Sequence, residues 1–578
     1  MGTLRAFLAG LILVSISGGA DLKITLLATT DLHGNLFPYD YYTARPAARG
    51  LAKIATLIEA ARAENPNSLL VDCGDVIQGT PLEAVYQEYI ENGRLPGKLA
   101  FAGAPLEHDP PLEHDPMMLA MNALGYDAMV VGNHEFNFGL KNLARARYQD
   151  AHFPWISSNI IGLGKTAPFP PYIIKTIAGV KIAIVGVTTP LIPQWEAPEH
   201  YRGYAFEPGV EAVRKAVADA RERHHPDIVI VAAHSGLDRD LRSANAPAGD
   251  PRENMVRQIA TEVAGIDAIV FGHTHQQLAS LQIGNVLLMQ PKNWGISLGE
   301  MDFVLRRTET SGWKIVSKTS RLIPVTKETP ADPKILEIGR PYHELAERYL
   351  NTPVAEAPVS LDAKLARVED TALIDAIQQV QLYYSKADVS FASSFNPRVS
   401  VPQGPVTIRQ IAALYVYENQ LYVVQGNGKM VREALENSAR YYNTCASDCT
   451  HGPLINPQVI GYNYDMAEGV DYEIDLTQPP GHRIRNLRWR GQPLGDDQPL
   501  RIAVNNYRAG GSAGYSMFRG ATILWRSPDE IRDLVIQYYS EHKTLPATPD
   551  NNWRVVPDAA LRTLEREALA GAQTVTQQ

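Results

Sequence analysis

The sequence predicts an α/β protein of two domains joined by a helix, and three observations predict it. Apolar strands alternate with helical stretches over the first ~300 residues, the pattern of a layered α/β domain. The chain has 578 residues, too many for one hydrophobic core. Between Ile323 and Pro358 the character changes to a helical connector bounded by proline-containing segments, and from about Val359 helices and strands mix anew.

The strands come in order, each followed by polar residues of unusual type. Lys23 to Ala28 precedes Asp31, His33 and Asn35. Ser68 to Cys73 precedes Gly74 and Asp75, and Ala128 to Val131 precedes Gly132, Asn133, His134 and Glu135. Lys181 to Val187 ends in two threonines. Asp227 to Ala233 ends in His234, and Asp267 to Phe271 in Gly272, His273, Thr274 and His275. Helices are predicted at Leu51 to Glu64, at Glu211 to Arg223, and from Pro116 to Leu124. The last has Asp115 as its N-cap and Gly125 as its stop. Lys334 to Leu350 is the connector helix. In the second domain, helices are expected at Asp370 to Lys386 and Lys429 to Tyr442, and strands at Leu421 to Gln425 and Leu500 to Val504.

Composition narrows the function class. The formal charge of −9, from 54 basic and 63 acidic residues, argues against a groove for a nucleic-acid polymer. A small anion remains open, since a bound metal can supply local positive charge. Arg5, the apolar run Ala6 to Ile16 and the small residues Ser17 to Ala20 form the pattern of a signal peptide. Export without a membrane anchor is therefore expected. Of the three cysteines, Cys445 and Cys449 are expected to pair, with a zinc site as the weaker alternative; Cys73 reads as a buried thiol within a strand. The tandem copies Pro105 to Pro110 and Pro111 to Pro116 read as a lengthened surface loop, despite their His and acidic residues.

Asp31, His33, Asp75, Asn133, His134, His234, His273 and His275 all follow apolar strands. One such histidine is more often structural. Eight polar residues at five strand ends are hard to satisfy by packing, because each buried polar group needs a partner. Ligands gather at the carboxyl ends of strands in such sheets. A shared metal site supplies the missing partner, and carboxylate, imidazole and amide donors suit Mn, Zn, Fe or Co. There are enough donors for two ions, with Asp75 between them, and two ions can clamp a phosphate and neutralise its developing charge. His134 is the candidate for the group that touches the phosphoryl oxygen and protonates the leaving alcohol.

Asp31-x-His33, Gly74-Asp75, Gly132-Asn133-His134-Glu135, His234 and Gly272-His273-Thr274-His275 together resemble the calcineurin-like metallophosphoesterases, in the 5'-nucleotidase branch. The resemblance covers nearly the whole chain after the leader. It implies an N-terminal four-layer β-sandwich flanked by helices over residues 21–325. A linker helix over 326–358 and a mixed α/β substrate-binding domain over 359–570 follow. Residues 1–20 would be the leader and 571–578 a disordered tail. Asp31, His33, Asp75, Asn133, His234, His273 and His275 would hold two divalent ions, and the chain is expected to act as a monomer, periplasmic in a two-membrane bacterium and extracellular in a one-membrane one.

Within that branch, Thr30 to Tyr42, Gly132 to Gly139 and Asn505 to Gly511 resemble the bacterial enzymes that act on 2',3'-cyclic nucleotides and 3'-nucleotides. The 5'-nucleotidases often pair their catalytic histidine with an aspartate where this chain has Asn137, a departure that favours the cyclic-nucleotide reading. The resemblance places Tyr417 and Tyr507 on the two faces of the base, and stacking suits any base. It makes Asn396 and Arg398 candidates for substrate contact, although Ser394-Phe395-Asn396 departs from the usual Gly-Gly-Ile-Arg. Ala513 likewise stands where an aspartate is usual. Two rival readings stand beside this one: a 5'-nucleotidase or nucleotide-sugar hydrolase, and a catalytically silent secreted nucleotide-binding protein.

Overall fold

A computed structural model describes residues 21–92, 112–238, 252–308, 312–417, 419–445 and 449–574. The predicted leader lies outside them, as do the first copy of the tandem repeat and the last residues of the predicted tail. In the second copy, His114 Nδ1 lies 2.7 Å from Asp150 Oδ1, while Asp115 caps the next helix. Both side chains therefore serve local structure.

The first domain is built on two six-stranded sheets. One places Leu22–Thr29, Ser68–Asp72, Ala128–Val130 and Trp155–Ile156 in parallel, with Ser297–Arg307 and Trp313–Pro324 antiparallel at its other side. The other places Val180–Thr188, Ile228–His234, Ala268–Phe271 and Val286–Gln290 in parallel, flanked by two antiparallel strands. Side chains alternate across each strand. Leu26, Ala28, Val71 and Val130 thus meet Ile182, Ile184, Ile230 and Val270 between the sheets. The opposite face of the first sheet turns Leu27 and Leu70 toward Leu51, Ile54 and Ile58 of a helix. The opposite face of the second turns Val185 and Val231 toward Val213, Val217 and Val256. The result is the expected four layers, helix, sheet, sheet, helix.

Local signals set the helix ends. Leu51–Glu64 matches its predicted span. Pro116–Leu124 begins where Asp115 accepts the Met118 N–H and stops at Gly125, whose φ of 67° suits glycine. The connector helix Pro333–Leu350 starts at Asp332, which accepts from Lys334 and Ile335. It buries Ile335, Tyr342, Leu345 and Tyr349 and packs on the helices Pro81–Asn92 and Pro116–Leu124 of the first domain.

The second domain centres on a five-stranded sheet with Pro499–Asn505 in the middle, between Val389–Ser393 and Gln420–Asn427. Val389–Ser393 runs parallel to that central strand and Gln420–Asn427 antiparallel. Three segments therefore reach the same sheet edge: Phe395-Asn396 after one strand, Tyr507 after the central one, and Tyr417 before the third. Cys445 and Cys449 are joined by a disulfide, and Cys73 is a buried free thiol, as expected.

That edge meets the first domain. Asn506 Nδ2 donates to Trp195 O at 2.8 Å, Arg532 Nη1 to Tyr42 Oη at 3.1 Å, and Arg409 Nη1 to Tyr41 O. Among the described residues, no helix is long and apolar enough to cross a membrane.

Candidate active site

The loops after the parallel strands converge, and their backbone is unusual. Asp31, His33, Asp75, His273 and His275 have φ values of 49°, 47°, 61°, 72° and 51°. Left-handed backbone costs a non-glycine residue about 1–3 kcal/mol and persists only where the surroundings enforce it. Gly132 and Gly272 give these loops room, since a methyl at 132 would collide with Asp75 Oδ1 and one at 272 with Thr30 Oγ1. Glu135 ties two loops together. Its buried carboxylate accepts the N–H of Gly132 at 2.6 Å, of Asp75 at 3.0 Å and of Val76 at 2.6 Å.

The rings are oriented from behind. His33 Nδ1 lies 2.9 Å from Gln78 O, His234 Nδ1 2.8 Å from Cys73 O, and His273 Nε2 2.9 Å from a Glu253 carboxylate oxygen. Those oxygens only accept, so each of these nitrogens carries the proton. The opposite nitrogens then present lone pairs, and these converge. His33 Nε2 is 2.9 Å from His275 Nε2, and His234 Nε2 is 3.2 Å from His273 Nδ1. Asp75 Oδ2 and Asn133 Oδ1 each lie 3.0 Å from His234 Nε2.

Electron pairs this close demand positive charge between them. Asp31, His33 and His275 form one group with donor atoms within 4.8 Å of one another, and Asp75, His234 and His273 a second. Asp75 Oδ2 is also 3.9 Å from His33 Nε2, so it stands between the groups. The protonation equilibria in this crowded cluster move in opposite directions. Burial disfavours a charged His234, but the adjacent Asp75 carboxylate outweighs it and holds that ring up to about 10. Burial, with the charge of His275 added, pushes His33 down to about 3. Asp31 is held at about 2 against its burial by the hydrogen bond and charge of His275. Mixed N and O donors with fixed tautomers fit two first-row divalent cations.

His134 stands at the rim of this cluster. Its backbone N–H donates to Asp75 Oδ1 at 2.9 Å, and its Nε2 lies 3.9 Å from Asp75 Oδ2. The structure thus gathers all eight predicted strand-end residues.

The second domain joins them through Tyr507. Its hydroxyl is 3.4 Å from His134 Nε2, and its ring stacks on Trp195 with centroids 5.9 Å apart and planes at 18°. Trp195 in turn stacks on the His273 ring at 5.8 Å. Tyr417 stands at the same sheet edge, 41% exposed, with the edges of Phe395 and Tyr462 around it. Asn396 uses Oδ1 within its own turn, accepting the Arg398 N–H at 3.0 Å, and Arg398 is exposed. Arg367 grips this turn, donating to Ser394 O and Phe395 O.

Comparison with known proteins agrees with this architecture. Residues 24–277 match the calcineurin-like phosphoesterase family, and residues 353–520 match the 5'-nucleotidase C-terminal domain. A Salmonella typhimurium protein named 2',3'-cyclic-nucleotide 2'-phosphodiesterase/3'-nucleotidase is 31% identical, over 95% of this chain and 91% of the relative. The chain belongs to the calcineurin-like phosphoesterases of the 5'-nucleotidase type. The Haemophilus influenzae phosphoesterase of the same name as the Salmonella protein is 30% identical, over 93% of this chain and 88% of its own length. A Bacillus subtilis trifunctional nucleotide phosphoesterase is 28% identical over 94% of this chain, which spans only 39% of that longer protein. The phosphoesterase fold is shared with a Staphylococcus aureus protein described as a 5'-nucleotidase (TM-score 0.76, 24% identity, 92% of this chain and all of that one).

Sequence reasoning gives Glu135 no role and does not reach Trp195, Glu196, Glu253 or Arg367. Glu135 carried a signal, an acidic residue inside an otherwise chemical motif. Trp195 closes a one-turn helix and the others sit in loops or turns, none with a strand-end pattern, so only tertiary packing brings them to the site.

Proposed function

We propose that this chain is an exported dinuclear-metal phosphoesterase that hydrolyses 2',3'-cyclic nucleotides to 3'-nucleotides, and 3'-nucleotides to nucleoside and phosphate. One observation carries the reading most. Two groups of convergent ligand atoms lie beside His134, and Tyr507 reaches His134 from the opposite domain. A nucleoside stacked on the second domain would have its phosphate among the motif loops. The names of the relatives at 30% and 31% identity support the same substrates.

Asp31, His33, Asp75, Asn133, His234, His273 and His275 would hold the two ions, with Mn, Zn, Co or Fe all compatible with the donors. When bound, such ions supply charge neutralisation and an activated water at neutral pH. The protein's residues do the rest. His134 faces the leaving oxygen through Nε2 and gives it a proton as the P–O2' bond breaks; the 3'-monoester then takes the same position. Tyr417 and Tyr507 bind the base by its faces and so accept any base. Asn396 and Arg398 serve as contacts at the substrate edge. The apolar leader at residues 6–16 supports export.

The test is release of phosphate and nucleoside by the metal-stripped protein after Mn, Co or Zn is restored. 2',3'-cyclic AMP, 3'-AMP and 5'-AMP are offered in parallel. Turnover of the first two with 5'-AMP much poorer is expected. Preference for 5'-AMP would overturn the substrate reading, and no turnover with any metal would point to a nucleotide-binding protein.

A further inference from the structure

Asn137 Oδ1 lies 2.5 Å from His134 Nδ1. An amide has a donating and an accepting end of nearly equal shape, so asparagine alone could face either tautomer of the ring. The next link removes that freedom. Asn137 Nδ2 donates to Glu196 Oε1, and a carboxylate can only accept. With Nδ2 committed to Glu196, Oδ1 must face His134, and His134 Nδ1 must carry its proton. Exchange is left to Nε2, the nitrogen turned toward Tyr507 and Asp75 Oδ2.

Glu196 is itself held in place. It is 8% exposed, its second oxygen lies 3.0 Å from His200 Nδ1, and its backbone N–H donates to Ile192 O at 2.9 Å. It directly follows Trp195, whose ring stacks on Tyr507. The relay therefore starts on the segment that touches the second domain and ends on the ring beside the ligand cluster.

We propose that Glu196 is a positioning residue, acting through Asn137 to keep the fixed proton of His134 on Nδ1 and so leave Nε2 as the nitrogen that takes up and gives the exchanging proton. The inference rests on His134 being the proton donor of the proposed reaction. Glutamine at 196 offers either end of its own amide, so Asn137 could turn over and present its NH2 group to His134. An aspartate at 137 would orient His134 directly and make residue 196 dispensable.

Glu196→Gln, Asn137→Asp, the double variant and His134→Ala are compared in the metal-loaded full chain, with kcat, KM and bound metal measured for each. Glu196→Gln is expected to lower kcat about tenfold at unchanged KM and metal content. In the Asn137→Asp background the same exchange should cost less than about twofold, the non-additivity of a shared pathway. An equal loss in both backgrounds, or no loss in the first, overturns the relay. If Glu196→Gln does not fold, Asn137→Ala severs the relay at its middle and must give the same fall in kcat. Full activity of His134→Ala would instead overturn the role of His134, which separates the two failures.

Discussion

Asp75, His234 and His273 in the first domain, and Asp370, Asp375 and Asp550 in the second, are both trios whose donor atoms lie within 4.8 Å of one another. They differ in almost everything else. In the first trio Asp75 and His273 sit in left-handed backbone, and both rings are fixed from behind by an accepting oxygen. In the second the donors are all carboxylates and none has a positive φ. There, burial and then the charges of Asp370 and Asp550 push the Asp375 carboxyl up to about 8, so near neutrality it keeps a proton. Proximity of ligand-type atoms is common to both. Strain and tautomers imposed by the surrounding protein belong to the first, and they mark it as a place built to receive a cation.

The largest expected effect breaks the comparison if it fails. Asp75→Asn removes the charge that stands between the two groups. It should cost several kcal/mol of transition-state stabilisation, roughly a thousandfold in kcat, and lower bound metal. Asp375→Asn should leave both as they are; equal losses in the two variants would erase the distinction. Next comes the contact with the base. Tyr417→Ala should raise KM roughly tenfold with kcat little changed, as expected for one lost stacking partner.

A thermal measurement sharpens the contrast further. Mn at about 100 times its dissociation constant should raise Tm of the stripped protein by about 5 °C. Asp375→Asn should show the same rise and Asp75→Asn much less. The smallest effect concerns pH. The folded pKa of Asp375 is raised, so its protonated form contributes stability that is full below the ordinary carboxylate range. That contribution is lost as pH rises through about 8. Asp375→Asn should therefore raise Tm by about 1–2 °C at pH 8 and by almost nothing at pH 4. The figure is small because solvent reaches this site and screens its charges. A shift of the opposite sign would mean that Asp375 is ionised and usefully paired.

The same contrast explains what the sequence could tell. Asp31, His33, Asp75, Asn133, His134, His234, His273 and His275 were legible because each breaks an apolar strand at its end, where packing gives no reason for it. Asp115 and Gly125 were legible because caps are local chemistry. A layered α/β domain followed from strands alternating with helices, whereas its four-layer form came only with the resemblance; several strands extend one or two residues past their predicted ends. Glu196 and Glu253 could not be read, since they act on rings at positions 134 and 273 that no local pattern links to them. Tyr507 was nameable only by resemblance. Its approach to His134 depends on how two sheets dock, and docking leaves no periodicity in a single chain.

Trp195 carries a consequence for observation. It is 4% exposed, and its indole lies between His273 of one domain and Tyr507 of the other. If the domains part to release product, one face of that indole passes from aromatic packing into water, and its emission should move to the red. The chain has seven tryptophans, so the difference between wild type and Trp195→Phe isolates the signal. Trp195 would thus serve as a built-in optical gauge of any such opening, readable in a stopped-flow trace without any label.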